Sequence, residues 1–233
     1  MSMKDVALTR LAARVGAQLR NAGLRVVTAE SCTGGWITKA LTDVSGSSEW
    51  LDSGYVVYSN EAKVRALGIS PRTLDHFGAV SGETVREMAR GALRTSGADV
   101  AVAVSGIAGP DGGTPDKPVG TVWLCVARRR GERRGERRGV RRGERIERAT
   151  VHERFRGDRD TVRRKSVERA LRLIGRLLAP RAPAARSFAR ARGKALGRAR
   201  RKERRQVRRQ VRRQARSNLR AARGTGKRNT TAR

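Results

Sequence analysis

The chain has 233 residues and is strongly basic: 54 Lys and Arg side chains stand against 21 Asp and Glu, a formal net charge of +33. Two cysteines and two histidines are too few for an ordinary Cys₄ or Cys₂His₂ zinc site or for a disulfide framework. No run of about 18 apolar residues is present, and charges interrupt the N-terminal segment. These features predict a cytoplasmic protein with no membrane contact, no metal and no leader peptide.

The positive charge is concentrated in the second half of the chain. Residues 1–127 carry 13 basic and 12 acidic side chains, whereas residues 128–233 carry 41 and 9. Residues 128–148 are an Arg/Gly/Glu repeat with almost no apolar side chain, so we expect a solvated loop or a hairpin extension. Residues 181–233 carry 21 basic side chains and one acid, and they cannot bury enough apolar surface to fold. We expect a disordered tail that contacts nucleic acid non-specifically.

Apolar periodicity predicts alternating helices and strands over residues 1–180. The predicted elements are, in chain order, a helix ending before Gly23, a strand over 24–28, a helix over 36–41, a strand over 51–59, a helix over 81–97 with Ser81 as its N-cap, strands over 100–104 and 119–127, and a helix over 160–179. The third strand, Val-Ala-Val-Ala-Val, is apolar throughout, as strands covered on both faces are. The pattern predicts a three-layer α/β/α domain that ends near Pro180.

Lysine is a better candidate than histidine for a general base in this chain. A base at His76 or His152 is an alternative, but the first stands at a helix end and the second beside the basic repeat. The chain uses 46 Arg and 8 Lys, so a lysine kept in residues 1–127 suggests chemistry that guanidinium cannot perform, such as giving up a proton. These lysines are Lys4, Lys39, Lys63 and Lys117. Lys63, at a strand-to-helix junction, is the strongest candidate, and a solvated helix lysine is the alternative.

Three polar loops are candidates for a ligand pocket, because ligands of open α/β sheets gather outside the carboxyl ends of the strands. Residues 30–35 could hold an anion such as a phosphate through backbone N–H groups, or they could be a plain helix cap. Residues 45–48 are typical of a turn, and residues 105–113 are too rich in glycine for a mere connector. Neither the dinucleotide-binding nor the P-loop glycine pattern occurs, and we expect no cofactor.

Seven short motifs follow one another along the first 160 residues. They are 28–35 (TAESCTGG), 46–48 (GSS), 58–63 (YSNEAK), 78–81 (GAVS), 105–113 (SGIAGPDGG), 117–123 (KPVGTVW) and 155–159 (FRGDR). In order and spacing they resemble the C-terminal domain of the competence/damage-inducible CinA family, whose stand-alone members are nicotinamide-nucleotide amidohydrolases. The resemblance covers about residues 5–180, and the basic repeat and tail have no counterpart in it.

The resemblance implies a metal-free hydrolase that converts nicotinamide mononucleotide to nicotinate mononucleotide and ammonia in pyridine-nucleotide salvage. The family uses a serine nucleophile assisted by lysine and tyrosine, which by position are Ser48, Lys63 and Tyr58. We also expect a homodimer. Around the bound nucleotide the resemblance places Ser31, Thr33, Gly34, Gly35, Ser105, Gly106 and Arg159.

Two other interpretations stay open from the residues alone. The first keeps the reaction but makes Ser31 the nucleophile, because this serine follows a buried strand and faces a helix start. The second is a catalytically idle domain that carries a polyanion-binding tail in residues 181–233. Since no aromatic platform is interleaved with the arginines of that tail, it would not read bases.

Overall fold

The computed structural model describes residues 3–130 and 145–179, in which strands and helices alternate. The helices are α1 (Met3–Asn21), α2 (Trp36–Thr42), α3 (Asn60–Leu67), α4 (Pro71–Phe77), α5 (Gly82–Thr95) and α6 (Arg159–Leu178). The strands are β1 (Val26–Glu30), β2 (Leu51–Val56), β3 (Val100–Gly106), β4 (Thr121–Arg130) and β5 (Arg145–Arg154). A single turn of 3₁₀ helix, Ser47–Glu49, precedes β2. None of the helices in these two ranges is long and apolar enough to span a membrane.

The five strands form one mixed sheet in the order β2-β1-β3-β4-β5. Strand β1 is parallel to β2 and β3, and β4 and β5 continue the sheet in antiparallel pairs. In this register Glu30, the last residue of β1, lies beside Val56 of β2 and Val104 of β3. The carboxyl ends of β1, β2 and β3 therefore meet at one edge of the sheet, and the loops that follow them are brought together there.

Helices cover both faces of the sheet, which confirms the predicted three-layer α/β/α architecture. The alternation of β3 divides the core: Val100, Val102 and Val104 pack on the side of α1, α2 and α6. Ala101 and Ala103 face the side of α3, α4 and α5. The small alanine side chains on that face leave room for α5 to pack closely on the sheet, whereas the larger valines on the other face hold the helices there at a greater distance.

The structure places most predicted elements within two or three residues of their expected bounds. Ser81 caps α5 as predicted, since its Oγ accepts a hydrogen bond from the backbone N–H of Thr84 at 3.2 Å. Strand β1 begins at Val26 rather than Leu24, because the backbone N–H of Arg25 is held by the carboxylate of Asp99, at 3.0 Å, just before the strand.

Strand β5 was not predicted as a strand. It pairs antiparallel with the whole length of β4, so residues 128–130 and 145–148 of the basic repeat form the expected hairpin extension rather than a solvated loop. Its side chains are largely exposed, with Arg130 of β4 paired to Glu147 of β5 at 2.7 Å. Residues 131–144 of the repeat and the tail 181–233 lie outside the described residues.

Candidate active site

The loops after β1, β2 and β3 converge at the carboxyl edge of the sheet. The backbone N–H of Ser31 donates to the carbonyl of Val104 at 3.1 Å, and that of Val57 donates to the carbonyl of Glu30 at 2.8 Å. These two bonds extend the sheet pairing by one residue on each side of β1. Five of the seven motifs named above supply residues to this edge, so a single pocket region collects most of the polar loops.

Glu30 anchors the loop between β1 and α2. Its side chain is fully buried, and five donors reach its carboxylate. Oε1 accepts from the hydroxyls of Thr28 and Thr38 at 3.2 and 2.8 Å and from the backbone N–H of Thr38 at 2.8 Å. Oε2 accepts from the hydroxyl of Thr33 at 2.7 Å and from the backbone N–H of Ile37 at 3.0 Å. Because these donors lie at both ends of the loop, the carboxylate fixes the position of residues 31–36.

The tight return of this loop requires its two glycines. Gly34 and Gly35 have φ of +60° and +89°, in the left-handed region that favours glycine. The N–H of Gly34 donates to the carbonyl of Ser31 at 3.0 Å, which closes the turn. The glycine pair therefore places the Ser31 side chain at the sheet edge immediately before the helix starts.

Lys63 of α3 is a buried amine without a carboxylate partner in the part of the chain that the structure describes. Only 1% of the residue is exposed. Its Nζ donates to the backbone carbonyls of Tyr58 and Ser59 at 2.9 and 3.4 Å. Burial lowers the pKa of Lys63 below 10.5, and the charge of Glu61 opposes that shift. A neutral amine can keep both carbonyls satisfied with its two hydrogens and still offer a lone pair, so Lys63 is suited to accept a proton.

Cys32 lies next to this lysine but is not suited to nucleophilic attack. Burial raises the pKa of the Cys32 thiol to about 12, although its own backbone contact and the charges of Arg163 and Lys63 act in the other direction. The thiol is therefore protonated at neutral pH, and the thiolate is the reactive form of cysteine.

Three predicted substrate-contacting residues at this edge carry a hydroxyl: Ser31, Thr33 and Ser105. Within the described residues, only the hydroxyl of Ser31 among these three makes no hydrogen bond. The hydroxyl of Thr33 donates to Glu30, and that of Ser105 donates to the carbonyl of Ala79 at 2.7 Å. Ser31 itself is largely buried, with 8% of the residue exposed. These contacts make Ser31 available for chemistry and give Thr33 and Ser105 positioning roles.

Tyr58 and Arg159 meet across the same edge. The Nη2 of Arg159 donates to the hydroxyl of Tyr58 at 3.2 Å, and its Nη1 donates to the carbonyl of Gly109 at 2.8 Å. Arg159 is the first residue of α6, so this fork joins α6, the β2–α3 loop and the glycine-rich loop after β3. Tyr58 is 60% exposed and stands at the rim of the pocket.

Ser48 lies at the opposite edge of the sheet. It belongs to the 3₁₀ turn Ser47–Glu49, which leads into the amino end of β2, and the carbonyl of the adjacent Trp50 accepts from the N–H of Val26 at the start of β1. Strand β2 rises about 3.3 Å per residue, so its five steps from Leu51 to Val56 separate the two edges by about 17 Å. The structure therefore brings Lys63 and Tyr58 together but does not bring Ser48 to them within one chain.

The remaining predicted residues have mainly structural contacts. A Cβ on Gly106 would approach Val122 Cγ2 to 2.7 Å and the carbonyl of Thr121 to 2.8 Å, so this glycine allows β3 and β4 to pack closely. His76 contacts the carbonyl of Arg72, and His152 stacks on Trp123 with ring centroids 4.7 Å apart. No group of three or more His, Cys, Asp or Glu side chains in residues 3–130 and 145–179 is arranged to hold a metal ion.

Sequence reasoning missed two residues of this edge. Glu30 was noted only as part of a loop, although its place directly after a buried strand is a signal for an anchoring role. Arg163 donates to the carbonyls of Cys32 and Thr33 at 3.1 and 2.9 Å. It follows Arg159 by four residues on α6, so the helical period indicates that the two arginines share a face.

Comparison with known proteins identifies the family of this chain. The family model described as "CinA C-terminal domain" matches residues 8–178. The chain belongs to this family. It is 49% identical over 172 residues to the nicotinamide-nucleotide amidohydrolase PncC of Escherichia coli K12, covering 74% of this chain and 95% of that protein. It is 51% identical over 164 residues to the protein of the same name from Pseudomonas putida, covering 70% and 92%.

The fold of this CinA-family chain is shared with a solved structure. The crystal structure of the competence/damage-inducible protein CihA from Agrobacterium tumefaciens superimposes with a TM-score of 0.62 at 41% sequence identity. The match covers 72% of this chain and 93% of that one.

Proposed function

We propose that this protein hydrolyses the carboxamide of nicotinamide mononucleotide, giving nicotinate mononucleotide and ammonia. The similarity to nicotinamide-nucleotide amidohydrolases over nearly their whole length supports this substrate. The observation that carries the chemistry is the buried amine of Lys63, which has no carboxylate partner in the described residues and lies at the same edge of the sheet as the Ser31 hydroxyl.

In the proposed mechanism Ser31 is the nucleophile, the alternative that the sequence left open beside Ser48. The Oγ of Ser31 attacks the carboxamide carbon while neutral Lys63 takes the hydroxyl proton. The tetrahedral intermediate collapses as the lysine returns that proton to the amide nitrogen, and ammonia leaves. Water then attacks the acyl-enzyme with Lys63 again as base, which releases the carboxylate and restores the serine.

The other edge residues support this reaction in distinct ways. We assign Tyr58, whose hydroxyl accepts from Arg159, the role of relaying a proton between Lys63 and the substrate. Backbone N–H groups of the glycine-rich loops are the candidates for stabilising the oxyanion of the tetrahedral intermediate. Thr33 and Ser105 keep the loops in place through the bonds described above, and Gly34 and Gly35 let the substrate approach the backbone.

The proposal is tested by measuring ammonia release from nicotinamide mononucleotide and identifying the product. We expect turnover that is unchanged by EDTA, with nicotinate mononucleotide as the organic product. Nicotinamide and the amide of free glutamine are the control substrates, and both should be poor. Absence of turnover of the mononucleotide, or loss of turnover in EDTA that one divalent ion restores, would contradict the proposal.

A further inference from the structure

A shallow depression of about 400 Å³ lies beside the Ser31–Gly35 loop, on the side of α6. It is lined by Gly34, Gly35, Trp36, Lys39 and Arg163. Two of these residues are cations and none is acidic, so the depression is positively charged. The lysine at its outer rim already pairs with Asp43 at 2.6 Å and is exposed, which leaves the arginine as the principal charge.

Arg163 is held rigidly in this depression. Its Nε and Nη2 donate to the carbonyls of Cys32 and Thr33, and its guanidinium lies over the ring of Trp36 at 5.4 Å from the centroid. Its Nη1 has no hydrogen bond to any residue in the described ranges. A guanidinium fixed by three contacts keeps its remaining donors oriented, so an anion bound there would cost little side-chain ordering.

The depression and the catalytic amine lie on opposite sides of the same loop. Arg163 belongs to α6, which covers one face of the sheet, and Lys63 belongs to α3, which covers the other. Arg163 contacts this loop at the carbonyls of Cys32 and Thr33. On the other side, the carbonyl of Glu30 accepts from the N–H of Val57, and the next residue, Tyr58, gives its carbonyl to Lys63. A ligand that extends across this loop can therefore present one end to Lys63 and the other to Arg163.

We propose that Arg163 binds the phosphate of the substrate and makes the site select nucleotides over nucleosides. The inference rests on the proposed deamidation, in which the carboxamide lies at Lys63. Guanidinium groups match phosphate oxygens in geometry and charge. Gly34 leaves the loop backbone open beside Arg163, since a Cβ at this position would come within 3.4 Å of Arg163 Nη2. Arg159 is less suited, because both of its terminal nitrogens already donate to protein oxygens.

The test compares nicotinamide mononucleotide with nicotinamide riboside, which lacks only the phosphate, in the full-length protein. Arg163→Met is compared with Arg164→Met. The control residue also lies over the Trp36 ring, at 5.0 Å, but it lines a different cleft, between α1 and α6. We expect kcat/KM for the mononucleotide to fall about 10- to 100-fold in Arg163→Met, the loss of a charge-assisted hydrogen bond. We expect kcat/KM for the riboside to change little, and Arg164→Met to behave like the wild type.

A purely structural role for Arg163 predicts a different result, because a displaced loop would lower kcat/KM for both substrates by the same factor. Equal losses, or no loss, would overturn the inference while leaving the deamidation intact. Failure of the wild type to deamidate the mononucleotide would instead reject the proposed function. If no form of the protein turns over the riboside, inhibition by ribose 5-phosphate decides: its inhibition constant should rise in Arg163→Met alone, and an unchanged constant would overturn the inference.

Discussion

Replacing Lys63 with methionine isolates the role of its amine. Methionine fills the slot of the lysine stem without a titratable group, so the packing around α3 is retained. The residue is 1% exposed and its Nζ contacts only two carbonyls, so arginine is a poorer probe because a larger guanidinium would not fit. We expect Lys63→Met to remain folded and to lose about 10²- to 10⁴-fold in kcat, the usual contribution of a positioned general base.

The pH dependence gives this prediction a second readout. Burial lowers the pKa of Lys63 below 10.5. The rise of wild-type kcat with pH should therefore have its midpoint at a lower pH than the titration of an ordinary lysine. The folded protein also binds this proton less tightly than the unfolded chain. The free energy of unfolding of the wild type should therefore increase, relative to Lys63→Met, as the pH rises through the window below 10.5. Steady-state ammonia release and urea unfolding between neutral and alkaline pH measure both effects. A methionine variant that keeps the wild-type rate and its alkaline limb would refute the assignment of the base.

Three further predictions concern the scaffold and the tail. Glu30→Gln should lower the free energy of unfolding by about 1–3 kcal/mol, since the amide turns a donor toward groups that already donate. Glu61→Gln, in the exposed first turn of α3, should have a smaller effect, and urea unfolding of both variants checks this. Gly91→Ala should also lower the stability measured by urea unfolding, because the new Cβ would overlap the carbonyl oxygen of Leu67. This loss should exceed the gain of about 1 kcal/mol that alanine gives a helix over glycine, and greater stability would contradict the packing of α5 on α3. Removing residues 180–233 should leave Tm and kcat unchanged but sharply reduce retention on heparin, since 21 basic side chains are lost. Unfolding or loss of turnover in the shortened protein would show that the domain boundary is wrong.

Helices α1, α2, α5 and α6 and the central strands could be predicted from sequence because each carries its own periodic signal, whereas the short helices α3 and α4 were not among the predicted elements. Leu8, Val15 and Leu19 mark α1, and the apolar run of β3 marks a strand covered on both faces. Strand β5 has no such signal. It is an edge strand rich in Arg and Glu with few apolar side chains, and its pairing with β4 depends on backbone hydrogen bonds that the sequence pattern does not indicate.

The candidate site was predicted only in part, because the order of motifs along the chain does not indicate at which edge of the sheet each motif lies. Lys63 was identified from the scarcity of lysine, and the structure places it at the carboxyl edge. Ser48 precedes β2, whereas Ser31 follows β1, so parallel strands carry the two serines to opposite edges. The contacts of Glu30 and Arg163 depend on residues distant in the sequence, which is why no local pattern revealed them.

The central claim is that the carboxyl edge of a single chain carries out the deamidation. Its most direct test is steady-state ammonia release from nicotinamide mononucleotide by Ser31→Ala and Ser48→Ala, measured side by side. We expect Ser31→Ala to lose on the order of 10³- to 10⁶-fold in kcat, as nucleophile variants do, and Ser48→Ala to retain most of the wild-type rate. An inactive Ser48→Ala beside an active Ser31→Ala would contradict the claim, because a serine about 17 Å from the base could then act only from a second copy of the chain.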